Sequence, residues 1–360
     1  MINMTVFIIG GGINGLSTGY WLSQKNIKTL IIEKNPEPCQ EASYINGCQH
    51  FYSKIQPLIT MAQTNQISLL NALQLFEKVD LKWISNLIVS WGYLEKNTNI
   101  CNWLSKESKF LFEKEFPEIK KYKPIVQVFN HIGYKYLKPN TYTIRNNIIT
   151  YTNDYISNPL IYNKALIDRY KHQGGEIIRS KLKSIVYKDN SNIIIDLICD
   201  PPLPYKFIPN DKVVIATGVA SKQLIPTLPM MSVYGAAIFN VKSNKQSVPC
   251  FIQNGYQSLK MDNHTRIVFG NIFSNTYMPS PEITNRLRGL YPDAKIYGRP
   301  VSADGLPIIS KLSDNLFVCT GQGFFGYTLG LFSGKIASKM ILGEKLTENE
   351  QYLNLNRFWF

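Results

Sequence analysis

Two glycine patterns in the chain have the spacing needed to hold a phosphorylated cofactor. In Gly10-x-Gly12-x-x-Gly15 the glycines allow a tight turn and the close approach of a pyrophosphate to helix-terminal N–H groups. Glu33 follows 18 residues beyond Gly15. A carboxylate there accepts hydrogen bonds from an adenosine ribose and repels a 2′-phosphate. The second pattern, Gly321-x-Gly323-x-x-Gly326, has no following strand to carry a ribose acid. Its N–H groups suit the N1 and C2-carbonyl edge of a flavin, where negative charge accumulates on reduction. Plain close packing of helix on strand is the competing reading, because glycine serves that purpose too.

Such residues need elements that aim them. Val6 to Ile9 reads as a strand, Leu16 to Gln24 as a helix and Thr29 to Ile32 as a second strand, which places the first pattern in a βαβ unit. Between Pro57 and Phe116 the spacing of Leu69, Leu70, Leu73, Leu75 and Phe76, then of Trp83, Ile84, Leu87, Ile88 and Trp91, predicts helices with these residues in the core. Alternating runs from Ile125 to Tyr151, with Gly133 and Pro139, predict strands. Pro159 opens a helix to about Tyr170, and Gly174-Gly175 stops it. Further strands are expected around Ile177, around Ile194 and at Val213-Val214-Ile215, the last running into Ala216-Thr217-Gly218. Ser232 to Gly270 is strand-rich, and the strand Leu316 to Thr320 leads into a helix from Tyr327 to Leu342.

This order predicts an α/β chain, α+β overall, with a Rossmann-type cofactor domain and an inserted strand-rich substrate domain. The expected boundaries are 1–56, 151–225 and 292–360 for the cofactor domain, and 57–150 and 226–291 for the substrate domain. With 360 residues and 44% apolar content, two sizeable cores are within reach. No apolar run is long enough to span a membrane, no signal peptide is evident, and the six cysteines are scattered, so a reducing cytoplasm is expected. The net charge of +14 comes from lysines spread along the chain without blocks, which reads as solvation and not as a nucleic-acid site. The four histidines, His50, His131, His172 and His264, have no partner motif and read as surface or structural residues.

Three segments carry a resemblance to a known family. They are Glu41-Ala-Ser-Tyr-Ile-Asn46-Gly-Cys-Gln49, Gly298-Arg299-Pro-Val-Ser-Ala-Asp304-Gly-Leu-Pro-Ile-Ile and Thr320-Gly-Gln-Gly-Phe-Phe-Gly-Tyr-Thr328. Together with the fingerprint they resemble the D-amino acid oxidase superfamily of FAD-dependent oxidoreductases, most of all its bacterial D-amino acid dehydrogenase small-subunit branch. The likeness covers both ends and the segment from Asp154 to Gly218, and barely reaches 57–150.

The resemblance implies non-covalent FAD contacted along the fingerprint at Gly10, Gly12, Ile13, Asn14 and Gly15. It adds Glu33, Lys34, Ala42, Ser43, Asn46, Gly47 and Cys48, with Leu182 at adenine and Gly218 near the pyrophosphate. Over the flavin it places Gly323, Phe324, Phe325, Gly326, Tyr327 and Thr328. It implies Tyr234 on the substrate side and Arg299 at a substrate carboxylate. Gln322 stands where relatives carry His, Tyr327 where the dehydrogenase branch carries Trp, and Phe324 where glycine oxidase has arginine. No Cys precedes Pro300 and no His follows Ser43, the positions at which relatives attach their flavin.

The implied activity is oxidation of the carbon–nitrogen bond of a small amine or amino acid, with quinone or oxygen as acceptor. The basic charge and the tail Arg357-Phe-Trp-Phe360 suggest peripheral contact with a membrane surface. Two alternatives remain open: a flavin domain acting on a modified tRNA wobble uridine, and a flavin-binding scaffold with a degenerate pocket.

Overall fold

Val6 to Ile9 form an apolar run with no polar face, and such a run belongs in the middle of a parallel sheet covered on both sides. A computed structural model describes residues 4–63, 80–128, 141–188, 193–241, 248–253, 255–262, 264–289 and 291–358. The chain begins with β1 (Thr5–Ile9), α1 (Ile13–Ser23) and β2 (Lys28–Glu33). Then come β3 (Gln49–His50), α2 (Leu58–Gln63), α3 (Leu81–Gly92) and α4 (Leu94–Glu115). The middle of the chain forms β4 (Ile125–Val128), β5 (Tyr142–Arg145), β6 (Ile148–Tyr151), β7 (Tyr155–Ile156) and α5 (Pro159–His172). After these follow β8 (Glu176–Arg179), β9 (Lys181–Tyr187), β10 (Ile194–Asp200), β11 (Lys212–Ile215) and the short α6 (Ser221–Leu224). The strand-rich part is β12 (Met230–Phe239), β13 (Cys250–Gln253), β14 (Tyr256–Met261) and β15 (His264–Ser274), then α7 (Pro281–Arg288) and β16 (Lys295–Ser302). The chain closes with β17 (Ile308–Lys311), β18 (Leu316–Thr320), α8 (Gly326–Ile341) and α9 (Glu348–Tyr352).

Two large sheets result. The first has the order β17-β18-β11-β1-β2-β8, parallel except for β17. From β1 the chain winds outward through β2 to β8 and then returns to β11 on the other side. The crevice for a ligand therefore lies where β1 and β11 part. The second sheet has the order β16-β12-β15-β14-β13-β4-β6-β5 and is antiparallel apart from the β13–β4 pair. β16 pairs with β12 in this second sheet, although the sequence boundaries assign it to the cofactor part. Likewise α4 packs on α8, with Trp103 edge-on to Phe332 at 5.2 Å, and reaches α1, whose Tyr20 hydroxyl donates to Glu115 at 2.7 Å.

One expectation needs correcting. In α3 Trp83 and Leu87 are buried beside Asn86 and Ser90, whereas Ile88 is 63% and Trp91 56% exposed. The inward face follows Trp83 and Leu87, one turn apart, with Ile84 packed at its edge, and Ile88 and Trp91 fall outside it. The expected stripe from Leu69 to Phe76, together with Gly133, Pro139 and His131, lies outside the described residues.

Two glycines that the sequence reading passed over set the distance between α1 and α8. A Cβ on Gly330 would sit 2.8 Å from Ile13 Cγ1, and one on Gly334 would sit 2.5 Å from the Ser17 backbone. Backbone cannot yield as a flexible side chain does, so Gly334→Ala is expected to cost roughly 1–3 kcal/mol through overpacking, despite alanine's higher helix propensity. Gly92, with nothing within 4 Å of its Cβ position, is the control. Urea denaturation of both alanine variants checks this, and equal midpoints would remove the close crossing as the explanation.

Candidate functional site

The first glycine turn is closed by contacts that only glycine permits. Gly10 has φ +103°, and a Cβ there would meet the Ala216 carbonyl oxygen at 2.7 Å. A Cβ on Gly15 would lie 1.9 Å from the Gly10 oxygen. Gly12 is different: the N-cap of α1, it has only Ser43 Oγ near its Cβ position, at 3.3 Å. Gly12 has no side chain with which to cap α1, and the first turn carries no acid, so the positive end of the helix is left to the crevice. The Ile13 N–H donates to Ser43 Oγ at 2.9 Å, which ties the loop after β2 to this turn.

Glu33 is buried at the end of β2 and is aimed by two backbone donors, Gly11 N at 2.7 Å and Asn35 N at 2.8 Å. Each carboxylate oxygen keeps a lone pair for a further donor. The Ser180 N–H donates to the Glu33 carbonyl at 2.9 Å, which brings the start of β9, with Leu182, beside this acid. Gly218, φ +59°, has open space at its Cβ position. Lys34 instead turns outward and pairs with Glu41 at 2.6 Å.

The second turn divides its glycines between packing and opening. Gly321, φ +80°, would bring a Cβ to 3.1 Å from Ile308 Cγ1, whereas Gly323 and Gly326 have nothing closer than 3.7 Å. Close helix packing comes from Gly330 and Gly334 further along. Gly323 and Gly326 are thus left open to a ligand. Gln322 is buried, and its Oε1 accepts from Asn14 Nδ2 at 2.6 Å, joining the two glycine turns directly. Thr328 Oγ1 donates to the Gln49 carbonyl at 3.0 Å and accepts from Phe51 N at 3.3 Å. The Tyr327 hydroxyl lies 3.1 Å from Ser157 Oγ, with its ring against His50 and Tyr162. Burial holds the Tyr327 pKa well above the ordinary phenol range. Phe325 is buried too. The side chains of Tyr327, Thr328 and Phe325 are therefore committed to the framework.

His50 is enclosed by this aromatic cluster, and burial, with a smaller contribution from Lys121, lowers its pKa to about 3. It bonds Ser157 Oγ at 2.9 Å. His172 ends α5.

The loop carrying Ala42 to Cys48 is cross-linked by its own asparagine: Asn46 Nδ2 donates to the Ala42 carbonyl at 2.9 Å, and Cys48 N donates to Asn46 Oδ1 at 2.6 Å. A Cβ on Gly47 would meet Gln257 Oε1 of the second sheet at 2.6 Å.

Arg299 and Tyr234 lie on opposite faces of that second sheet. Residues opposed across an antiparallel pair share a face, and successive residues alternate. Arg299 opposes Val233, while Tyr234 opposes Gly298. The Tyr234 ring packs in a separate cluster with Phe269, Ile272, Ile283 and Leu287, and its hydroxyl donates to the Thr276 carbonyl at 2.9 Å. Burial pushes its pKa up to about 12. A cavity of about 380 Å³ bordered by Val219, Ser232 and Tyr277 opens on this side, but the Lys222 ammonium at its wall is spent on Asp80, the Met230 carbonyl and Asn275.

Arg299 has the environment of an anion site. A β-bulge between the Tyr234–Ile272 and Ala236–Phe269 pairs sets two residues of β15, Gly270 and Asn271, against the single Gly235 of β12. Arg299 Nη2 donates to the Gly270 carbonyl at 3.2 Å and to Asn271 Oδ1 at 2.6 Å. The guanidinium lies over the rings of Tyr297 at 5.2 Å and Phe324 at 4.8 Å. Its Nε is buried without a hydrogen-bond partner, and among the described residues it forms no ion pair. Asp304, the acid nearest in sequence, belongs to Arg357, with Nε–Oδ2 at 2.7 Å and both side chains almost inaccessible. Phe358 is buried as well, so half of the basic aromatic tail packs inward, while Trp359 and Phe360 lie outside the described residues. Among the described residues no helix is long and apolar enough to cross a membrane.

A helix start with a glycine N-cap, a buried acid aimed by backbone donors and open glycines in the second turn fit the pyrophosphate, ribose and ring of FAD. Known proteins agree. The chain is 42% identical over 55 residues to D-amino acid dehydrogenase 2 of Ralstonia nicotianae, a stretch covering 15% of this chain and only 13% of that protein. It is 23% identical over 379 aligned positions to D-proline dehydrogenase of Pyrobaculum islandicum, covering 95% of this chain and 96% of that one. The fold matches glycine oxidase from Geobacillus kaustophilus with a TM-score of 0.69 at 16% identity, over 99% of this chain and 100% of that structure. The family model described as DAO, FAD dependent oxidoreductase, matches residues 5–340, so the chain belongs to the DAO family of FAD-dependent oxidoreductases.

Proposed function

We propose that this enzyme oxidises the carbon–nitrogen bond of a small amino acid, the class of substrate named for its relatives. The observation that carries the reading is the Arg299 guanidinium, held by a bulge, walled by two rings and lacking an acid. It binds the substrate carboxylate through charge-assisted hydrogen bonds and fixes the α-carbon, while Phe324 and Tyr297 exclude water around it. Bound FAD supplies the two-electron acceptor for the hydride leaving that carbon. The substrate ammonium gives one proton to water to enter as the neutral amine, and with His50 and His264 engaged in internal hydrogen bonds no protein base is assigned. Loss of the nitrogen's proton with the hydride leaves an imine, which water hydrolyses to a 2-oxo acid and ammonium. Of the departures that favoured a degenerate pocket, Gln322 and Tyr327 are buried in framework contacts and Phe324 walls the Arg299 guanidinium, so they do not argue for lost activity.

Anaerobic mixing with D- and L-amino acids, glycine, sarcosine and proline tests this. One of them is expected to bleach the visible absorbance of the bound, acid-releasable FAD. If none does, the amino-acid reading is wrong. Repeating the reaction in air identifies the acceptor, since peroxide formed as fast as substrate disappears marks oxygen, and its absence points to a quinone.

A further inference from the structure

Arg266 is the most deeply buried cation in the second sheet, at 0% exposure, and it too lacks an acid among the described residues. Opposed to Phe239 on β15, it lies on the same face as Val233 and Arg299 by alternation along β12. Its Nη1 donates to the carbonyls of Tyr44 at 2.7 Å and Asn46 at 3.1 Å. Its Nη2 and Nε point at a single atom, His264 Nε2, at 2.6 and 3.2 Å. The Tyr44 and Phe239 rings flank the guanidinium at 5.1 and 4.8 Å. A guanidinium has only donors, so His264 must offer a lone pair at Nε2 and carry its proton on Nδ1.

We propose that Arg266 is a positioning residue for the cofactor: it clamps the 42–48 loop to the second sheet, with neutral His264 as its fixed acceptor. The opposite end of the loop is tied to the fingerprint through Ser43 and Ile13, and its middle is cross-linked by Asn46. Asn163 Nδ2 and the Ser157 N–H hold the carbonyls of Ser43 and Cys48, each at 3.0 Å, and Arg266 supplies an anchor to the second sheet. The inference rests on the reading that this loop borders FAD. Protonating His264 removes the lone pair and sets a second cation against the guanidinium. Burial and then the Arg266 charge hold the His264 pKa below its ordinary 6.5, so the clamp is intact at neutral pH and is lost as pH falls through that lowered value. The other charged groups near His264 are Lys295, whose Nζ lies over Phe239, and Asp262, whose carboxylate is taken by Lys120 and Tyr122.

The test is FAD affinity of the apoprotein, followed by flavin fluorescence quenching from pH 7.5 to 5, for wild type, Arg266→Met, His264→Gln and Asn46→Ala. Methionine fills the arginine's volume but leaves the carbonyls of Tyr44 and Asn46 and the His264 lone pair without a donor, so some loss of stability accompanies it. Arg266→Met is expected to raise the FAD dissociation constant of the folded apoprotein at least tenfold, read without urea at a temperature where its circular dichroism matches wild type. Wild type is expected to lose affinity as pH falls, and His264→Gln, which keeps an acceptor that does not titrate, to lose much less. If Asn46→Ala weakens binding and Arg266→Met does not, the clamp is refuted. If neither variant weakens binding, the loop does not border the cofactor and the premise fails with it. Equal pH profiles for wild type and His264→Gln remove His264 from the device.

Discussion

Replacing Arg299 with alanine is expected to lower kcat/KM for an amino acid by roughly 10²–10³ or more. The partner of a desolvated ion pair, left alone, costs about 3–5 kcal/mol, and about 1.4 kcal/mol is tenfold. The fold pays little for the change, because Arg299 forms no ion pair among the described residues and its hydrogen bonds reach only one bulge. FAD content and melting temperature therefore stay close to wild type. Lysine should rescue in part, as a point charge without the planar fork. Amines matching the substrate but lacking its carboxylate separate the roles, since they gain nothing from the guanidinium and should lose little in the variant. If Arg299→Ala keeps near-normal kcat/KM for the amino acid, the carboxylate assignment is wrong.

Arg357 is the opposite case, with its large effect falling on stability. Its guanidinium donates from Nε and Nη2 to both oxygens of Asp304, at 2.7 and 3.1 Å, and also to the carbonyls of Leu353, Asn354 and Leu306. Asp304 in turn sits on a turn held by Ser302 and Leu306 N, and its carbonyl accepts from Leu58 N at 3.0 Å. Alanine at 357 leaves a buried carboxylate unpaired, at a cost of about 3–5 kcal/mol, a large share of the roughly 5–15 kcal/mol typical of folded domains. Urea denaturation measures the loss, and kcat per folded molecule should not move. Removing both charges, as Asp304→Leu with Arg357→Met, should recover much of it. A single variant as stable as wild type would mean the pair contributes nothing.

The cofactor half was legible because its signals are local. Val6 to Ile9, Gly10, Gly15 and Glu33 lie within 28 residues, and their spacing alone specifies strand, turn, helix and acid. Arg299 and Tyr234 were both placed toward substrate, but a strand's faces are set by pairing with distant chain. The register of β16 on β12 and the bulge at Gly270 turn one in and the other out. Asp304 lies five residues from Arg299 in the chain, yet its partner, Arg357, lies 53 residues on. Arg266 stood in an apolar strand with no motif around it, and its significance is created wholly by the carbonyls of Tyr44 and Asn46. One missed signal was readable: Gly330 and Gly334, four apart on one helix face, mark a close helix crossing.

The hydrogen bond between Asn14 and Gln322 spans 308 residues. Together with the α1–α8 crossing and the β1–β11–β18 ladder, it means that the fingerprint is completed by chain made about three hundred residues later. At roughly 5–20 residues per second, a ribosome delivers Gln322 about 15–60 s after Asn14. During that interval the nascent N-terminal unit gains β11 but not the helix that packs on α1. Cofactor loading thereby waits for the second glycine turn, and chains stalled before residue 316 should carry no FAD when isolated on their ribosomes.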